Sequence, residues 1–281
     1  MNYRIVSDSS SNVYHLPEVD FKSVPLKIIT ANAEYVDDKN LDVEKMVNEI
    51  LSTKGKSGTS CPNVNDWLEA FGDADVVFAI TITSHLSGSF FAAFEAAKIY
   101  EESNPGAKVY VIDSLSTGPE MRIIIEYIKD LILEKASFEH IRDSVKEYME
   151  RTHLLFSLES LTNLARNGRV NPAVAKIAGV LGIRLLGAAK EGVLNPLHKI
   201  RGEAKTIEAM FEEMKKRGFN SGKVRIDHCL NLNAAKALKE KILSEFPKSD
   251  VTIEENGGLC SFYAERGGVL VGFEGKLKAD I

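Results

Sequence analysis

The sequence predicts an α/β fold in two domains. Residues 1–150 read as a parallel-sheet α/β domain, and residues 151–281 as an α+β domain with a mostly antiparallel sheet. Three observations carry this. Short apolar, β-branched runs alternate with helically periodic segments as far as about Glu150, the pattern of strands joined by crossover helices. Several of those runs end in turns dense in hydroxyl residues, at the edge of an open sheet where ligands bind. Past Glu150 short strands follow one another, with amphipathic helices over Glu203–Arg217 and Asn233–Phe246.

Taken in order, Tyr3–Val6 is the first strand and runs into Asp8-Ser9-Ser10-Ser11-Asn12. Such side chains bond their own backbone in turns and caps. Equally, Asp8 and its serines would line a ligand rim, and the residues alone leave both readings open. Phe21–Ile29 is a strand carrying Pro25, and Asp42–Leu51 is a helix that ends before Gly55. Gly55-Lys56-Ser57 imitates the end of a phosphate-binding loop, but the upstream glycine that motif needs is missing. Thr59 and Ser60 stand just before a helix opened by Pro62 and continued by Trp67, Leu68 and Phe71.

The most informative stretch begins at Val76–Ile82, an uncharged apolar run that reads as a buried parallel strand. Thr83, Ser84, Ser87, Gly88 and Ser89 follow, and then Phe90, Phe91, Phe94, Ala97 and Ile99 recur at helical spacing. A helix starting there offers free N–H groups and a positive dipole end to an anion. One serine would be read as a cap; this density of hydroxyls exceeds what capping needs and points to a site. Lys98 is the only cation between Val76 and Tyr100, so the anion is expected to be held by neutral donors. Lys108–Ile112 is a further strand, ending in Asp113-Ser114-Leu115-Ser116-Thr117-Gly118, and Met121–Leu133 is an apolar helix of the core.

In the second half, Leu154–Phe156 leads into Ser157–Leu164, helical in spacing and stopped by Asn167-Gly168. Asn171–Leu181 reads as an apolar helix. Strands are expected at Ile183–Leu186, Val193–Ile200, Lys223–Ile226 and Val251–Glu254, with a pair at Cys260–Ala264 and Val269–Phe273.

The 281 residues are 44% hydrophobic and 27% charged, the composition of a soluble globular chain. A net charge of −5 disfavours broad nucleic-acid binding. No apolar run is long enough to span a bilayer, and a strand at the N-terminus leaves no room for a signal peptide. Cys61, Cys229 and Cys260 are far apart, so a cytoplasmic protein with reduced thiols is expected, without a disulfide frame or a metal site.

The turns taken together resemble the DegV family, fatty-acid-binding proteins that serve bacterial fatty-acid kinases. The matching pieces are Asp8-Ser9-Ser10-Ser11-Asn12, Pro25-Leu26, Thr59-Ser60-Cys61-Pro62, Thr83-Ser84-His85-Leu86-Ser87-Gly88-Ser89, Asp113-Ser114 with Ser116 and Gly118, Leu164-Ala165-Arg166-Asn167-Gly168-Arg169-Val170, and Lys199-Ile200-Arg201-Gly202. They stand in the family's order and cover nearly the whole chain. The resemblance implies a long-chain fatty acid bound between two domains, with no cofactor and no catalytic residue. Its carboxylate would be held by Thr59, Ser87 and Gly88, with Ser60, Ser84, Asp8, Ser9 and Ser114 as further candidates on the rim. The acyl tail would run into the second domain along Val174–Leu186. Arg169 and Arg201 would contact a separate kinase or its phosphate, although alone they read as ordinary ion-pair residues. Three positions depart from the family pattern. Cys61 replaces a frequent glutamine, Asn167 a frequent glycine, and Glu265 a histidine near the ligand mouth, the departure that bears most on the kinase role.

Two other classes compete. A serine hydrolase of lipid esters would use Ser87 as nucleophile, but His85 and Ser89 occupy the glycine places of Gly-x-Ser-x-Gly, so a base would have to come from His15, His153, His198 or His228. A nucleotide-binding enzyme would need a Gly-x-Gly-x-x-Gly or phosphate-binding loop, and neither is present.

Overall fold

The computed structural model describes residues 2–52, 55–171, 173 and 182–280. In the first half, β1 (Tyr3–Asp8) passes through a 3-10 turn at Ser9–Ser11 to β2 (Asp20–Val24), β3 (Lys27–Ile29) and β4 (Glu34–Val36). Then come α1 (Val43–Ser52), β5 (Gly58–Ser60), α2 (Val64–Phe71), β6 (Val76–Thr81), α3 (Ser89–Ser103), β7 (Lys108–Asp113), α4 (Pro119–Leu133) and α5 (Phe138–Met149). A parallel sheet runs in the order β2-β1-β6-β7. Every residue of β6 is buried, because alternate side chains face two different layers. Val77 and Ala79 pack with Trp67, Phe71, Ala93 and Ala96 of α2 and α3. Val76, Phe78 and Ile80 pack with Ile124, Ile128 and Ile141 of α4 and α5.

The strand expected over Phe21–Ile29 is two strands in two sheets. Proline has no N–H to give to a ladder, and the chain turns at Pro25. β2 pairs with β1, whereas β3 joins a small antiparallel sheet ordered β4-β3-β5. There Ile28 lies opposite Thr59.

In the second half, β8 (Thr152–Leu158), α6 (Thr162–Arg166), β9 (Ile183–Lys190), β10 (Val193–Arg201), α7 (Glu203–Lys216), β11 (Lys223–His228), α8 (Leu232–Glu245), β12 (Asp250–Glu255), α9 (Gly258–Ala264) and β13 (Val269–Glu274) follow. Six strands form a sheet ordered β10-β9-β8-β13-β11-β12, antiparallel throughout except for β11 with β12. One face packs on α7 and α8 through Leu155, Leu186, Met210, Phe211 and Leu238. On the other face Leu154, Phe156, Leu158 and Leu270 meet Ile28, Met46 and Phe262.

Two further assignments differ from expectation. The helical spacing read over Ser157–Leu164 belongs to the end of β8 and the start of α6; β8 is buried on both faces, so its run shows no alternation. The strand expected at Cys260–Ala264 is the helix α9, since a short apolar run does not distinguish the two. Its first amides, Gly258 N and Leu259 N, donate to the Asp37 carboxylate at 2.6 and 3.0 Å, a cap supplied from far along the chain. The helix expected over Asn171–Leu181 lies largely outside the described residues.

Helix α4 sits between the two large sheets, and Pro119 to Ile125 are all buried. Its polar stripe Arg122, Glu126, Asp130 faces alternate residues of β11. Glu126 accepts from Arg225 at 2.7 Å, Asp130 from Lys223 at 2.7 Å, and Arg122 lies 3.8 Å from Asp227. A helix advances about 6 Å in four residues and a strand roughly 6.6 Å in two, so the two rows of charges stay in step. The backbone approaches closely: a Cβ on Gly272 of β13 would lie 2.5 Å from the Pro119 carbonyl carbon and the Glu120 nitrogen.

Candidate functional site

A cavity of about 310 Å³ lies where the carboxyl edge of the parallel sheet meets the inner face of the second sheet. Thr59, Ser60, Cys61, Ser87, Gly88 and Arg169 line it, and Cys61 and Gly88 are exposed, so this polar end opens to solvent. Elsewhere the lining is chiefly apolar, with Ile82, Leu154, Phe156, Leu158, Leu259 and Leu270.

Three turns from distant parts of the chain build the polar end. The first follows β5, where pairing with β3 fixes Thr59, and Thr59 Oγ1 lies 2.8 Å from the Tyr263 hydroxyl of α9. The second leads from β6 into α3, with Gly88 at the helix N-cap. Ser87 Oγ accepts from Ser89 N at 3.2 Å, which leaves its own proton to donate. A Cβ on Gly88 would lie 3.2 Å from Cys61 Sγ, so glycine lets these two turns touch. The third turn follows α6. Arg169 Nε donates to Leu86 O at 3.1 Å, Arg169 Nη1 donates to Asn167 O, and Asn167 Oδ1 lies 3.1 Å from where a Gly58 Cβ would be. Arg169 thus brings a guanidinium to this polar end, where the sequence pointed to neutral donors alone.

The sequence profile that describes uncharacterised proteins of the DegV family matches residues 2–276. The chain belongs to the DegV family. It is 39% identical to a DegV domain-containing protein of Streptococcus pneumoniae, over 98% of this chain and 99% of that one. A DegV family protein from Eubacterium eligens, solved loaded with heptadecanoic acid, has a TM-score of 0.96 and 43% identity, covering 98% of this chain and 100% of that one. The Streptococcus pneumoniae fatty acid kinase B3 protein, solved loaded with linoleic acid, has a TM-score of 0.96 and 39% identity with the same coverage.

In this DegV chain Thr59, Ser60, Ser87 and Gly88 are brought together, while Asp8, Ser9, Ser84 and Ser114 are not among the lining residues. Asp8 is fully buried behind the turns. It accepts from Ile82 N at 2.9 Å, from Ser89 Oγ at 2.7 Å and from Ser10. Burial pushes its carboxyl up to about 6, against the pull of those hydrogen bonds. Ser9 Oγ accepts from Leu26 N at 3.0 Å and so fixes a wall residue. Ser114 is buried and bonds the backbone of Ser116, and Ser84 N donates to Asp113 Oδ1 at 3.1 Å. Arg201 is exposed at the end of β10, away from the lining.

Tyr263, Thr117 and Cys260 also line the cavity and escaped sequence reasoning. Tyr263 and Cys260 lie in α9, the helix that reads as a strand. Glu265, at the place of the family's histidine, accepts from Asn163 N at 2.9 Å and so caps α6, the helix that leads to Arg169. The described hydrogen bonds bring no histidine to Ser87. His153 meets Lys276 O, His198 meets Glu213, and His85 Nδ1 lies 3.4 Å from Thr83 Oγ1. Among the described residues no cluster of three or more His, Cys, Asp or Glu could hold a metal ion. No helix there is long and apolar enough to cross a membrane.

Proposed function

We propose that the protein binds a long-chain fatty acid in this cavity and presents its carboxylate to a separate fatty-acid kinase, which forms the acyl phosphate. The chain itself contributes binding and orientation, with no catalytic group and no cofactor. The observation that carries this is the convergence of three distant turns at the one polar, solvent-open end of an otherwise apolar cavity. The fatty acids bound by the Eubacterium eligens and pneumococcal relatives support it, as does the kinase in the pneumococcal protein's name.

In this reading Ser87, Thr59, the Gly88 amide at the start of α3 and Arg169 hold the head group. The α3 dipole and the guanidinium both favour the ionised acid. Residues 1–150 carry the hydroxyl turns, and residues 151–281 supply Leu154, Phe156, Leu158 and Leu270 to the tail. Each buried CH₂ contributes ~0.8 kcal/mol, so the tail provides most of the affinity and the polar end sets orientation. The carboxylate must stay reachable for a phosphoryl group to be transferred to it, and an exposed Gly88 beside it meets that need. The proposed kinase partner and three free cysteines support a cytoplasmic location.

The test is a titration of palmitic acid and its methyl ester into wild type and Ser87→Ala. A hydrogen bond to a charged group contributes roughly 1.5–3 kcal/mol, so the acid should bind about tenfold to hundredfold more weakly to the variant. The ester should hardly change. Equal weakening of both ligands would make Ser87 a structural cap and remove the head group from this end.

A further inference from the structure

Helix α3 begins at the cavity mouth, directly after Gly88, with an apolar face turned inward and exposed rings among charged residues on its outer side. Ala93, Ala96, Ala97 and Tyr100 pack inward on the sheet. On the outer face Phe91 is 61% exposed, Phe94 44% and Ile99 43%. A cluster of exposed rings marks a contact surface. The rings are held in place: Phe90 lies 5.5 Å from Phe91 and 6.1 Å from Phe94, centroid to centroid. Lys98 sits 4.5 Å above the Phe94 ring and bonds Glu95 at 2.8 Å, so its charge is already matched. Glu101 and Glu102 complete an acidic border.

We infer that this outer face of α3 is the docking surface for the phosphoryl-transferring enzyme. This rests on the reading that the protein presents its fatty acid to a kinase. The charge pattern selects the occupant. An enzyme that transfers a phosphoryl group surrounds its nucleotide with cations, so the rim of its active site is electropositive. Such a rim complements an apolar stripe bordered by Glu101 and Glu102, Glu95 being already paired with Lys98. An anionic bilayer would instead be repelled by it. The position fits too, because a partner seated on Phe91 and Phe94 stands beside Ser87 and Gly88, where the carboxylate is exposed.

The experiment compares wild type with Phe91→Ala/Phe94→Ala, both loaded with palmitic acid, as substrates of the purified fatty-acid kinase from the same organism. Neither side chain lines the cavity or the sheet-facing core, so lipid loading measured by mass spectrometry should stay near that of wild type. The KM for the loaded carrier should rise at least tenfold while kcat at saturation holds, and Glu101→Lys/Glu102→Lys should raise KM as well. An unchanged KM in the loaded aromatic variant would overturn the docking surface and leave the fatty-acid reading intact. No acyl phosphate from loaded wild type would overturn the kinase reading and the docking surface with it. A variant that keeps its KM but loses sedimentation with phosphatidylglycerol vesicles would assign the stripe to a bilayer, against the inference.

Discussion

Ser87 and Asp8 show how one hydroxyl-rich stretch divides its labour. Ser87 faces the cavity with a free proton, whereas Asp8 stays behind the rim and ties Ser10, Ile82 and Ser89 into one unit. Asp8 and Asp227 are both buried and both pushed up to about 6 by that burial. A carboxyl whose folded value is raised stabilises the fold below its unfolded value, and that contribution is lost as pH rises through the folded value. The window here runs from about 4 to about 6. Comparing urea unfolding at pH 5 and pH 7, Asp8→Asn should remove about 1 kcal/mol of the wild type's loss of stability on raising the pH. An identical pH dependence in the variant would show that Asp8 ionises in the fold as freely as in water. Ser87 and Gly88 were legible because a dense run of hydroxyls stands at a helix start, whereas Thr59, inside a short strand, stood out only through the family resemblance. Asp8 stayed ambiguous, because composition does not say which side of a turn a side chain takes. Arg169 was visible in its motif, but its place beside Ser87 depends on a contact between turns 83 residues apart in the chain.

At the level of elements, the strands of both sheets were legible wherever a buried run ended in a turn, as at Val76–Thr81 and Lys223–His228. The exceptions share a cause, which is that a distant partner decides the conformation. α9 is a helix because Asp37 receives its first two amides, and β3 leaves β2 at Pro25 because Thr59 and Tyr35 are waiting opposite Ile28. α4 is the clearest case of an element shaped by two neighbours at once, with isoleucines towards the parallel sheet and a charged stripe towards β11. Gly272 permits that approach. A methyl group there would meet the backbone of Pro119 and Glu120, which cannot rotate away as a side chain can. Gly272→Ala should therefore destabilise the protein by about 1–3 kcal/mol, measured as a lowered denaturant midpoint. A variant as stable as wild type would mean that α4 shifts off β13 without loss.

Across the whole molecule, the cavity joins what the chain order separates. The small sheet and α1 come from the first half, yet Ile28, Met46 and Val47 pack with Leu154, Phe156 and Phe262 of the second. Alternation of strands and helices revealed two sheets but not this crossing, since periodicity reports on neighbours in sequence. A ligand filling the cavity touches both halves and adds its binding free energy to the folded state. We propose that this ligand is a fatty acid, and mass spectrometry of lipid extracted from the purified, denatured protein is the decisive measurement. Protein expressed in bacteria should release a long-chain fatty acid at close to one per chain. Extracts that contain none, from protein that also takes up no added fatty acid, would mean that the cavity serves another ligand.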